Sequence, residues 1–148
     1  MKYPKIISKF SGKYEFLDNS YYFPFEYEGV WYDNAEAAFQ STRLEHRKLF
    51  SHLSGILARK FGHRFSGDKD WERDKDKIMF SVLLKKFSNP SLKKKLLNTD
   101  NALLVYGNTY HENYWGQCKC ESCSIIVGRN KLGKMLMKIR HILRDEQK

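Results

Sequence analysis

The sequence predicts an α+β fold, mostly helical, with a small β-sheet or hairpin. Three observations lead there: one alternating stretch that turns back on itself, several segments with helical apolar spacing, and a single short apolar run. The chain has 148 residues and carries neither an internal repeat nor a low-complexity linker. It is expected to fold as one domain over residues 1–148, large enough to bury a core without cross-links.

The elements follow in order. Phe23, Phe25 and Tyr27 alternate, Glu28-Gly29 offers a turn, and Val30 and Tyr32 return, which reads as a hairpin. Asp33 and Asn34 can cap a helix that begins AEAAFQ. A second helix is expected within residues 54–65, ended by Gly67 and Asp68. Ile78, Met79, Val82, Leu83 and Phe87 give helical spacing from Lys75 to Phe87. Asn89-Pro90 then reads as the cap and first residue of another helix, with Leu92, Leu96 and Leu97. Ala102 to Tyr106 is short, apolar and suited to a buried strand. Leu132, Met135, Leu136, Ile139, Ile142 and Leu143 form the clearest stripe, with Asn130 placed to cap that helix.

Hydrophobic residues at 41% and charged ones at 30% place the chain among globular rather than disordered sequences. Ten Phe, nine Tyr and three Trp exceed the needs of a small core, so some rings can line a binding surface. Lys and Arg total 27 against 17 Asp and Glu, a net charge of +10 that favours phosphates, nucleotides or nucleic acid as partners. A basic surface without a specific ligand is the alternative. No signal-peptide pattern opens the sequence, and no apolar run nears the roughly 18 residues of a membrane span. Three cysteines crowded between 118 and 123 do not resemble a disulfide framework, so a reducing, cytoplasmic setting is expected.

Two clusters can carry chemistry. Glu36, Gln40 and Arg43 fall at i, i+4 and i+7, on one helical stripe, and small or apolar residues surround Glu36. Such a carboxylate tends to face a cleft. Asp33-x-x-Glu36 equally resembles a capping box. The second cluster is HENYWG, His111 to Gly116, where Glu112 offers a second carboxylate and Trp115 an indole for a base or for the core. Trp71, alone in DKDWERDK, either plugs a core edge or presents a stacking face. Cys118-x-Cys120-x-x-Cys123 reads as free thiols, with no cofactor; a zinc site with His111 as fourth ligand is the alternative. Gly128-x-Asn130-x-x-Gly133 lacks the ending of a P-loop, though a helix N-terminus beside Arg129 and Lys131 could hold phosphate. No Ser-His-Asp, zincin or deaminase pattern is present.

Taken in order, FLDNSYYFPFEYEG (16–29), NAEAAFQ (34–40), DW (70–71), KF-x-N-P (86–90), LLNT (96–99), HENYWG (111–116) and GRNKLGKMLMKIR (128–140) resemble the NADAR, or YbiA-like, family over roughly residues 10–144. The resemblance implies a YbiA-like fold and hydrolysis of N-glycosidic bonds. It implies as substrate either a phosphoribosylated pyrimidine intermediate of riboflavin biosynthesis or ADP-ribosylated guanine in DNA. Glu36 falls on the family's essential glutamate, Trp71 on its motif tryptophan, and Glu112, Trp115 and Gly116 on its D-x-x-W-G element. Asn130 falls on the G-x-N-x-L-G asparagine, and Asn19 on that of the opening motif. Three departures stand out: Glu112 replaces the usual Asp, Ser20 and Tyr22 replace Phe and Pro, and Arg43 stands where Lys is frequent. Arginine cannot serve as a Schiff-base nucleophile, so an electrostatic or phosphate-binding role is what Arg43 could keep.

By that resemblance Glu36 and Glu112 are the candidate catalytic pair, their roles unassigned, at an oxocarbenium-like transition state. Trp71 and Trp115 would hold the base, and Asn19, Gln40, Arg43, Gly116 and Asn130 would complete substrate binding. The rivals are a non-catalytic nucleotide- or nucleic-acid-binding module and a zinc-dependent interaction protein.

Overall fold

The computed structural model describes residues 5–148. Its elements are β1 (Ile6–Ile7), β2 (Phe25–Tyr27), β3 (Val30–Tyr32), α1 (Ala35–Ser41), α2 (Gly55–Gly62), α3 (Trp71–Lys86), α4 (Pro90–Leu97), β4 (Leu103–Leu104), β5 (Gly107–Asn108), β6 (Gln117–Cys118) and α5 (Lys131–Asp145). Short 3-10 turns lie at Gly12–Leu17, Arg47–Phe50 and Glu121–Cys123. The described residues are mostly helical with small sheets, as expected, the strands forming three two-stranded pairs rather than one sheet. No helix among the described residues is long and apolar enough to cross a membrane.

The chain divides into two compact units, Asn19–Asn89 and the described residues up to Asp18 together with Pro90–Lys148. In the first, β2 and β3 pair antiparallel with Tyr27 opposite Val30. Glu28 (φ 50°) and Gly29 (φ 86°) both take the left-handed backbone that a two-residue hairpin turn requires. Phe25, Tyr27 and Tyr32 face inward, whereas Trp31 is exposed. Asn34, not Asp33, caps α1: its side chain accepts from Ala37 N–H at 2.8 Å. Every residue of α1 is buried. α2 packs on it, with Gly62 against Gln40; its small residues Gly55, Ala58 and Gly62 are all buried. A Cβ at Gly62 would lie 2.3 Å from Gln40 Oε1, so any larger residue there requires the Gln40 side chain to shift. α3 begins at Trp71, four residues before the apolar spacing starts, because its first turn is polar and acidic and so gives no apolar period to read.

In the second unit β1 pairs parallel with β4, and β5 parallel with β6. α4 starts at Pro90 as its sequence demands. Leu132, Leu136, Ile139 and Leu143 of α5 are buried, with Leu92 and Leu96 of α4 and Leu104 of β4 completing that core. Each such side chain contributes roughly 1.5–3 kcal/mol by leaving water. Arg140 is buried on the same helix and donates to Thr99 Oγ1 at 2.9 Å.

Candidate active site

Glu36 occupies the first turn of α1 and is only 5% exposed. The capping-box alternative does not occur, since Asn34 holds the cap and the Glu36 carboxylate turns inward. Its Oε1 accepts from Gln40 Nε2 at 3.0 Å and from Arg59 Nε at 3.4 Å. Gln40 Oε1 in turn accepts from Arg43 Nε at 2.8 Å. The i, i+4, i+7 stripe is therefore one chain of hydrogen bonds, carboxylate to amide to guanidinium. Both bonds to Glu36 fall on Oε1; among the described residues none reaches Oε2.

Arg43 also donates from Nη1 to the Phe65 carbonyl at 2.7 Å, and its guanidinium lies 3.9 Å from the Trp71 ring centroid. Burial lowers its pKa below the usual guanidinium value, while Glu72 and Glu36 work the other way. Trp71 is 4% exposed and donates its indole N–H to Thr42 Oγ1 at 2.9 Å. One indole face is thus taken by Arg43, and Phe39 packs at 5.3 Å. Trp71 plugs a core edge and holds the arginine. Asn19, before α1, accepts the Glu36 N–H at its carbonyl and donates from Nδ2 to Met79 Sδ. Its Oδ1 is buried and has no hydrogen-bond partner among the described residues. Such an acceptor costs about 1–3 kcal/mol, more than a scaffold residue usually carries.

The HENYWG loop works differently. Glu112 Oε1 accepts backbone N–H groups from Tyr114 (2.9 Å) and Trp115 (2.7 Å), so this carboxylate folds its own loop. Asn108 braces the same loop, bonding Glu112 at both its N–H and its carbonyl. Trp115 is half-buried and meets Tyr114 edge-on at 4.8 Å. The carbonyls of Asn113, Tyr114, Trp115 and Gly116 receive the N–H groups of Arg129, Lys131, Leu132 and Asn130. These bonds take the N–H groups of Arg129, Asn130, Lys131 and Leu132 at the start of α5, where the sequence suggests a phosphate seat. Asn130 stands at the N-cap of α5, as expected, and its carbonyl accepts the Lys134 N–H at 3.0 Å, but its backbone is left-handed (φ 48°) and its side chain makes no cap bond. Its amide accepts from Tyr106 N–H and donates to the Leu104 carbonyl, both at 2.9 Å. Glycine is needed at 133 and 116, where a Cβ would lie 2.1 Å from the carbonyl oxygens of Leu104 and Tyr106. Arg129 and Lys131 instead lie over the Tyr114 ring, at 5.5 and 4.6 Å.

His111, Cys118, Cys120 and Cys123 converge in the same unit. The Ser122 hydroxyl, then the Cys118 sulfhydryl, hold the Cys120 thiol down at about 6, whereas burial pushes the Cys123 thiol up.

Within Asn19–Asn89 the structure unites Asn19, Glu36, Gln40, Arg43 and Trp71; in the other unit it unites Glu112, Trp115, Gly116 and Asn130. Sequence reasoning passed over Arg59, the cation on Glu36, and Thr42, the anchor of Trp71. A signal for Arg59 was present: the small residues Gly55, Ala58 and Gly62 at i, i+3 and i+7 mark a closely packed helix face, and Arg59 adjoins it.

The NADAR domain family model matches residues 3–144, so it spans both units. The Escherichia coli protein YbiA, solved by NMR, superposes with a TM-score of 0.80 at 27% identity, over 99% of this chain and 89% of that one. A protein named as an N-glycosidase from Nostoc punctiforme is 36% identical over 78 residues, 52% of this chain and 46% of that protein. The match therefore spans less than half of the relative's length. With a family match running almost end to end, the chain belongs to the NADAR domain family.

Proposed function

We propose that the chain is an N-glycosidase that hydrolyses the C1′–N bond of a phosphoribosylated or ADP-ribosylated base, of the kind met among riboflavin-biosynthesis intermediates. Family membership and the name of the Nostoc relative support this. The observation that carries it is Glu36, a buried carboxylate fixed through one oxygen by Gln40 and Arg59.

Cleaving the bond builds positive charge on the ribose. Glu36 Oε2 faces that charge and takes a proton from the attacking water. The hydroxyl joins C1′ and the departing nitrogen receives a proton, so one water is consumed and base and sugar phosphate are released. Arg43 and Arg59 supply positive charge for phosphate, and the Asn19 Oδ1 accepts from a substrate hydroxyl or N–H. Glu112 serves as a positioning residue, because its Oε1 holds the N–H groups of Tyr114 and Trp115 and so sets the path of its own loop.

A second reading, removal of ADP-ribose from guanine in DNA, is favoured by the net charge of +10. Purified protein is incubated separately with the phosphoribosylaminouracil intermediate and with guanine-ADP-ribosylated DNA, and products are resolved by chromatography. Base release from the first, lost in Glu36→Gln, is the expected result. Cleavage of the DNA substrate alone would establish the second reading. Turnover of neither, with salt-sensitive DNA binding, would leave a binding module.

A further inference from the structure

Residues 109–128 have almost no apolar core: the buried positions there are Gly116, Cys118 and Cys123. What fills the middle of this segment is sulfur and imidazole. Cys118 ends β6, Cys120 precedes the 3-10 turn, Cys123 ends it, and His111 arrives from the loop after β5 with a left-handed backbone (φ 68°). Their four ligand atoms all lie within 4.8 Å of one another. His111 Nδ1 is 3.3 Å from the Cys123 sulfur, 3.5 Å from that of Cys120 and 4.0 Å from that of Cys118. The Cys118 and Cys120 sulfurs are 3.3 Å apart. A tetrahedral zinc with ordinary bond lengths sets its sulfurs about 3.8 Å apart and its nitrogen about 3.6 Å from each. The nitrogen–sulfur spacings bracket the second value, the Cys118–Cys120 spacing is about half an ångström under the first, and all four atoms stay within 4.8 Å.

The surroundings also suit thiolate ligands. Asn113 donates from Nδ2 toward the Cys123 sulfur, and its Oδ1 accepts the Cys118 N–H. The Cys120 N–H approaches the Cys118 sulfur, and the Ser122 hydroxyl lies 3.2 Å from the Cys120 sulfur. Buried cysteines that merely fill space sit among hydrocarbon; these sit among donors, as ligands of a bound cation do.

We propose that His111, Cys118, Cys120 and Cys123 form a structural zinc site. Four protein ligands leave no open position, so the metal's role is to hold the 109–128 segment and not to activate water. Binding converts three thiols to thiolates with release of their protons, and His111 ligates through neutral Nδ1. The three thiolates and soft character select zinc over magnesium or calcium. The inference stands independently of the glycosidase reading.

The test is elemental analysis of wild-type protein purified under reducing conditions, without chelator, from zinc-supplemented cells. About one zinc per chain is expected, together with a thiolate-to-metal charge-transfer band when cobalt replaces it. Cys120→Ser, at the half-exposed ligand, and His111→Gln should each lower zinc affinity at least about tenfold. Chelation of the wild type should speed amide exchange in 118–128 at least about tenfold, with exchange in α5 changed less. Wild-type protein that takes up neither zinc nor cobalt overturns the proposal, as does a Cys120→Ser variant with undiminished zinc affinity. A disulfide among the three cysteines in the reduced preparation, seen as a two-dalton loss of mass, would overturn it as well.

Discussion

The α1 cluster and the 106–133 region use the same residue types for opposite ends. Around α1, polar side chains bond mainly to one another: Glu36 to Gln40 and Arg59, Gln40 to Arg43. Around the start of α5, Glu112, Asn130 and Asn108 bond mainly to backbone groups. A carboxylate paired with arginine side chains retains a charge it can direct at a ligand. One whose bonded oxygen holds backbone N–H groups fastens the loop it belongs to. Both motifs stand out in the sequence, yet the partner of each side chain, not its identity, separates chemistry from scaffolding.

The contrast can be broken at its strongest point first. Glu36→Gln, which keeps shape and removes charge, should lower kcat about 100- to 10,000-fold while the melting temperature stays near wild type. Steady-state kinetics beside a thermal melt reads both; full turnover would remove Glu36 from the chemistry. On the scaffold side, Gly133→Ala forces a methyl toward the Leu104 carbonyl and should cost about 3 kcal/mol in urea unfolding. A loss under about 0.5 kcal/mol would mean the strand–helix clamp is slack. Arg43→Lys removes the fork that reaches Gln40, Phe65 and the Trp71 face together. It should raise KM about tenfold, with kcat less affected. A change confined to kcat would place Arg43 nearer the reacting bond than its contacts suggest. Smallest is Glu112→Gln, whose amide oxygen can still accept from Tyr114 and Trp115. Its kcat/KM should fall less than about tenfold, about 1.4 kcal/mol. A loss matching that of Glu36→Gln would erase the distinction.

What the sequence made legible was local. The hairpin could be seen because Glu28-Gly29 supplies both left-handed positions within the turn itself. The Glu36–Gln40–Arg43 stripe was visible because helical period alone aligns it. Arg59 was missed because its partner lies 23 residues away and depends on how two helices pack. The β1–β4 pairing joins Ile6 to Leu103, beyond the reach of any local pattern. Asn130 was legible as the cap position, but not the side chain's partners: the left-handed backbone turns its amide to Tyr106 and Leu104, 24 and 26 residues away in sequence. The cysteine spacing was ambiguous for the same reason: whether thiols meet is a question of loop path.

Gly62 gives the α1 cluster an unexpected weak point. A methyl there would strike the Gln40 amide, the one group that links the acid at 36 to the guanidinium at 43. Dislodging it would unmoor both charges at once, though position 62 touches no ligand in any scheme proposed for this molecule. The width of a single carbon atom on a neighbouring helix thus sets the tolerance to which the charged ensemble is assembled.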